Sequence, residues 1–229
     1  MDSVDIDAAL AGTGLIIRGG FHPDAGDIAE GMSGAAATVV LIGNAGPDMW
    51  TVFSAATTPK GRNADANPLD DWTRERLDKA AGVLGCQALY PFAGPPYYPF
   101  QQWALKAGGV FASPTGPLIH PQFGLWHAYR GALIFEQRLT LEAPPNHASP
   151  CEDCADKPCL SACPADAFVT GRYDVPACVG HVVSVAGTEC RQGGCLARRA
   201  CPVGREYLYR PDQAQFHMAK YLKAQGSLE

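Results

Sequence analysis

Cysteine is the residue type best placed to do chemistry in this chain. There are nine, and eight of them (Cys151, Cys154, Cys159, Cys163, Cys178, Cys190, Cys195 and Cys201) follow residue 150. Thiols pair as disulfides in oxidising compartments and ligate metals in reducing ones. The chain has 18 bases against 23 acids, a formal charge of −5. Its first thirty residues carry six acids (Asp2, Asp5, Asp7, Asp24, Asp27, Glu30) against Arg18 alone. A secretory or mitochondrial leader needs the opposite charge. The expectation is a cytoplasmic protein with reduced thiols, and clustered reduced thiols point to metal ligation. Cys86 stands apart and is expected to be buried and inert.

The spacing narrows the metal. Cys151-x2-Cys154-x4-Cys159-x3-Cys163-Pro164 is followed by Cys178-x11-Cys190-x4-Cys195-x5-Cys201-Pro202. Zinc sites favour paired C-x2-C knuckles, and this region has one. A four-cysteine run closed by Cys-Pro suits an iron–sulfur cluster, because proline donates no backbone hydrogen bond and turns the chain away. The first run resembles ferredoxin modules, with two residues inserted around Asp156-Lys157 relative to the bacterial C-x2-C-x2-C-x3-C-P form. That resemblance implies two 4Fe-4S clusters, each borrowing a ligand from the other run. Cys151, Cys154, Cys159 and Cys201 would hold one, and Cys163, Cys178, Cys190 and Cys195 the other. The wider second run leaves open one cluster with spare buried thiols. Arg191, Arg198, Arg199, Arg205 and Arg210 would offset an anionic cluster. They make a poor nucleic-acid patch in an acidic chain without interleaved stacking residues, so no nucleic acid is expected.

Upstream, Gly116-Pro117-Leu118-Ile119-His120-Pro121-Gln122-Phe123-Gly124-Leu125-Trp126-His127-Ala128-Tyr129-Arg130-Gly131 has the makings of a binding loop. Pro121 holds His120 extended, and Gly124 permits a tight turn or a flat ligand's close approach. Trp126, with Tyr97 and Tyr98, offers flat faces, and Arg130 offers a fork for amide or carboxylate groups. Taken singly, Trp126 reads as core, Arg130 as a partner for a strand-end carboxylate, and His120 as a hydrogen-bonded structural residue. Together the segment closely resembles the I-H-P-x-F-G-x-W-x-A-x-R-G stretch of the cobalamin-processing CblC proteins, whose fold is related to flavin-dependent nitroreductases. A corrinoid pocket followed by a ferredoxin also resembles the core of epoxyqueuosine reductases and reductive dehalogenases. The resemblance implies cobalamin, with FMN as the weaker alternative, near Tyr97, Tyr98, His120, Pro121, Gly124, Trp126 and Arg130. It gives His120 no cobalt bond.

The elements around these residues read as α+β. Strands are predicted at Ala37–Gly43 and His127–Phe135, with Leu139 and Leu141 continuing on one face. Helices are predicted from Asn67-Pro68 to Gly85, over Phe100–Ala107, and from a capping Asp212 to about Lys223. Ala143–Pro150, with three prolines, reads as a linker. The expected fold is therefore a nitroreductase/CblC-like α+β domain (1–145) followed by a small ferredoxin-like iron–sulfur domain (146–229). No apolar run approaches the ~18 residues of a membrane span. The expected work is reduction of cobalamin or reductive removal of its upper ligand, fed by a low-potential donor such as a ferredoxin or flavodoxin. The alternatives are a corrinoid-dependent reductase of another substrate and an electron carrier without catalysis of its own.

Overall fold

Apolar side chains run without a break from Val39 to Ile42, and a strand of that kind must be covered on both faces. A computed structural model, which describes residues 3–57, 67–144, 147–169 and 172–227, places this run at the centre of a sheet. The chain divides into two compact units, one of residues 1–109 and 127–146, the other of 110–126 and 147–229.

The first unit contains α1 (Ser3–Leu10), β1 (Ile16–Phe21), β2 (Thr38–Ala45), α2 (Asp48–Ala56), α3 (Pro68–Leu84), β3 (Gln87–Leu89) and α4 (Phe100–Ala107). The strand β6 (His127–Phe135) completes its antiparallel sheet, ordered β1-β2-β6-β3. In the central pair Leu41 faces Ala132 and Ile42 faces Gly131, and the register then slips at Ile42/Gly43. Helix α3 begins with Pro68 in its first turn, where a missing N–H costs nothing. Asp70 and Asp71 favour the same end through the helix dipole. It stops at Gly85, whose left-handed backbone (φ 62°) returns its N–H to Ala81. The predicted stripe Trp72, Leu77, Ala80, Ala81 and Leu84 is buried, with Trp50, Phe53 and Trp103 from the other helices. This is a mixed α+β body on an antiparallel sheet.

The second unit is made of short pieces. They are the β4 (Phe111–Ala112) and β5 (Leu118–Ile119) pair, α5 (Pro158–Ser161), the hairpin β7 (Phe168–Val169) and β8 (Arg172–Tyr173), α6 (Val175–Val183), α7 (Thr188–Gly193) and α8 (Leu196–Ala200). A longer α9 (Pro211–Ala224) ends it. Its N-cap is Arg210, not the expected Asp212: Pro211, with φ already fixed, takes the first helical position. Asp212 sits in the first turn, 3.3 Å from the Arg210 guanidinium. Leu139 is buried, but no strand forms there.

Residues 110–126 pack with the cysteine-bearing unit, and of the expected linker Pro145 and Asn146 lie outside the described residues. Among the described residues no helix is long and apolar enough to cross a membrane.

Candidate metal centres

The thiols of Cys151, Cys154, Cys159 and Cys201 form one group in the second unit. Burial raises the Cys151 thiol first, and the charges of Cys201, Cys159 and Cys154 raise it further. Cys159 is raised in the same way by burial, Cys201 and Cys154, and Cys201 by burial and, more weakly, by Cys154. Local structure explains how residues so far apart in sequence converge. Cys151 follows the turn in which Ser149 Oγ accepts its N–H at 3.4 Å. Cys159 sits in α5, entered through a left-handed Lys157 (φ 38°). Cys201 ends α8 and is buried with Ile119 and Leu125, against which Cys151 also packs.

The remaining four, Cys163, Cys178, Cys190 and Cys195, line one small cavity together with Pro164 and His181. Burial raises Cys190 and Cys195 first, and the charges of Cys163 and Cys178 add to it. Backbone amides oppose that trend: Leu196 N–H toward Cys190, and Arg198 and Ala197 N–H toward Cys195. Ala167 N–H donates to Cys163 Sγ at 3.4 Å. Amide donors aimed at sulfur are the usual surroundings of an iron–sulfur cluster and tune its potential.

These donors fit a polynuclear centre. Four thiolates gathered in a partly buried place repel one another and need a cationic core to stay deprotonated. Among the described residues no group of three or more His, Cys, Asp or Glu side chains is placed to hold a metal ion.

The loop from Ile119 to Trp126 belongs to this unit. His120 and Gly124 exchange both backbone hydrogen bonds at 2.9 Å. His120 Nδ1 accepts the N–H groups of Gln122 (3.1 Å) and Phe123 (3.2 Å), and its ring stacks on Phe123. Pro121 sits inside this turn. The close approach foreseen at Gly124 is made by Val203, whose carbonyl oxygen would lie 2.0 Å from a Cβ there. Trp126 is 4% exposed. Arg198 covers one face with its guanidinium carbon 4.5 Å from the ring centroid, Tyr209 packs edge-on, and Arg198 Nε donates to Leu125 O at 2.9 Å. Trp126 is thus buried under Arg198 and beside Tyr209, and it lines a cavity with Arg198, Tyr209 and His217.

Tyr97, Tyr98 and Arg130 fall in the first unit. Tyr97 is 65% exposed, and Tyr98 stacks on Trp103 with centroids 5.9 Å apart. Arg130, on β6, reaches Asn44 Oδ1 at 3.4 Å and Asp70 at 3.9 Å. Its carboxylate partner lies in the first turn of α3, not at the strand end expected for it. Asn44 and Asp70 were missed as its partners, because nothing in their spacing ties them to residue 130. His127, at the start of β6, is buried beside Tyr129.

At the level of sequence the chain matches no family model and no curated protein. Solved structures do share its fold. Epoxyqueuosine reductase from Streptococcus thermophilus matches with a TM-score of 0.55 and 15% identity over 92% of this chain and 69% of that one. The B12-trafficking protein CblC of C. elegans matches with a TM-score of 0.52 and 16% identity over 94% of this chain and 89% of that one. An epoxyqueuosine reductase solved with a tRNA-Tyr stem loop gives a TM-score of 0.53 and 16% identity over 94% and 69%. A further epoxyqueuosine reductase is covered over 53% of its length, so the chain spans about half of that protein. The likeness to CblC expected from Ile119–Gly131, and that to epoxyqueuosine reductase expected from the order of the two parts, are matched by a likeness of fold.

Proposed function

We propose that this chain is a corrinoid-handling reductase that binds cobalamin, or a related corrinoid, and reduces its cobalt or reductively removes its upper ligand. The observation that carries the reading is the gathering of eight thiols into two groups of four, in a chain whose fold is shared with CblC and epoxyqueuosine reductase. We read the second unit as a ferredoxin-type module. Cys151, Cys154, Cys159 and Cys201 would hold one 4Fe-4S cluster, and Cys163, Cys178, Cys190 and Cys195 another. Such clusters supply one-electron transfer at low potential.

The chain's own residues prepare that chemistry. The amides of Ala167, Leu196, Ala197 and Arg198 point at sulfurs and favour their anionic form. Arg198 clamps the His120–Trp126 loop through Leu125 O. With Nδ1 accepting two amides, a neutral His120 carries its proton on Nε2, which makes it a hydrogen-bond donor there and not a metal ligand. Tyr97, Tyr98 and Arg130 of the first unit are the proposed corrinoid contacts. Gly124 and Trp126 serve the loop's packing.

A second reading, reduction of another substrate with the corrinoid as cofactor, is favoured by the epoxyqueuosine reductase matches. An anaerobic visible titration tests the shared part of both. A saturable shift of the cobalamin bands at about one equivalent supports them, and unchanged bands leave an electron carrier. Reduction of epoxyqueuosine, free or in a tRNA stem loop, by the cobalamin-loaded protein would then select the second reading.

A further inference from the structure

A cavity of about 180 Å³ lies in the second unit where α8 and α9 meet Trp126. Trp126, Tyr209 and Tyr221 supply rings to its walls, and Met218 supplies a thioether. Its polar lining is unusual in carrying donors without acceptors to match. Trp126 Nε1, which can only donate, is buried and meets no acceptor among the described residues. Arg198 donates from Nε (2.9 Å) and Nη2 to Leu125 O, and among the described residues its Nη1 meets no acceptor. The guanidinium carbon stands 4.5 Å from the Trp126 ring centroid and 4.4 Å from that of Tyr209. The charge is therefore held in place by two rings and a carbonyl, and no Asp or Glu lines the cavity to neutralise it.

These features define a ligand. A buried N–H without an acceptor is destabilising, and a bound acceptor removes the penalty. A fixed positive charge selects an anion, and the planar fork of arginine matches a carboxylate. Aromatic walls and a thioether favour a flat apolar body beside that anion. The volume is close to the ~150 Å³ of an apolar cavity that takes up a benzene ring.

We infer that this cavity binds a small single-ring aromatic carboxylate, with the carboxylate on Arg198 and Trp126 Nε1 and the ring among Tyr209, Tyr221 and Met218. The site shares no residue with the proposed corrinoid contacts Tyr97, Tyr98 and Arg130, and it does not depend on what the thiols hold. It gives Arg198 and Trp126 a second task besides packing the loop.

The test is a calorimetric titration of the anaerobically reconstituted full chain with benzoate, benzamide and cyclohexanecarboxylate, for wild type and Trp126→Phe. Wild type should bind benzoate saturably and one to one. Benzamide, which keeps the ring and loses the charge, should bind at least about tenfold more weakly, because hydrogen bonds to an ionised acceptor are the stronger ones. Cyclohexanecarboxylate, which keeps the charge and loses the flat ring, should also bind more weakly. Trp126→Phe keeps an aromatic wall and removes the N–H, so it should weaken benzoate binding about tenfold. Absence of saturable benzoate binding to the wild type overturns the inference, as do equal affinities for benzoate and benzamide. Wild-type affinity for benzoate in a folded Trp126→Phe protein places the ligand elsewhere and overturns it too. Should Trp126→Phe fail to fold, crystals of the wild type soaked in 4-bromobenzoate decide by anomalous scattering. Bromine in the cavity between Arg198 and Met218 supports the site, and bromine elsewhere or none overturns it.

Discussion

Gly124 lies against the backbone of Val203, so close that a Cβ on the glycine would stand 2.0 Å from the Val203 carbonyl oxygen. Gly124 also has φ 56°, in the left-handed region that glycine visits without penalty. Val203 is two residues beyond Cys201, so this backbone contact fixes the chain that carries one proposed ligand. Gly124→Ala should cost at least ~1–2 kcal/mol from the backbone conformation alone, with the displacement of Val203 added to it. The expected outcome is a lower unfolding midpoint and reduced iron content in the reconstituted protein. An alanine variant with wild-type iron and midpoint would remove this contact from the account.

The crossed grouping makes Cys201 a partner of Cys151. Cys201→Ser and Cys151→Ser should therefore abolish the same paramagnetic signal and leave the same residual one. Should Cys201→Ser match Cys190→Ser instead, the ligand sets are wrong.

Trp126 is expected to matter for folding more than for ligand binding. Its ring is buried under Arg198 and Tyr209, and truncating a buried tryptophan to alanine costs about 3–5 kcal/mol. Denaturant unfolding of Trp126→Ala should show that loss, while Trp126→Phe, which keeps most of the packing, should bind cobalamin like wild type. A large loss of cobalamin affinity in a folded Trp126→Phe protein would return the ring to the corrinoid site.

Cys86 gives a pH prediction. Burial pushes its thiol from 9.0 up to about 11. The unfolded chain therefore ionises this thiol first as pH rises, and the protection is lost between about pH 9 and pH 11, where stability should fall with increasing pH. At pH 8 the thiolate fraction is small, so iodoacetamide should leave Cys86 of the iron-loaded protein unlabelled in peptide mapping. Rapid labelling at pH 8 would show the thiol to be more accessible than its burial implies.

What could be read from the sequence depended on the range of the signal. His127–Phe135 and Phe100–Ala107 were legible to the residue because each is a local pattern with its own stop. The strand β1 was not, since Arg18-Gly19-Gly20 breaks its alternation where the register slips. Gly124 was recognisable as a permissive residue, but Val203, which needs it, lies far along the chain. Tyr173 and Tyr221 likewise carry no local mark linking them, although their hydroxyl oxygens meet at 2.7 Å.

Electrons supplied to the thiol-held centres are proposed to reach a bound corrinoid. The most direct measurement is an anaerobic single-turnover assay with cyanocobalamin and a strong one-electron donor, followed at the corrin bands, for wild type and Cys163→Ser. One electron and loss of cyanide convert the Co(III) substrate to the Co(II) corrin. Wild type should carry out this conversion, and Cys163→Ser should bind cobalamin with unchanged affinity but react far more slowly, because electron supply is lost and binding is not. Equal rates in the two proteins would contradict the claim.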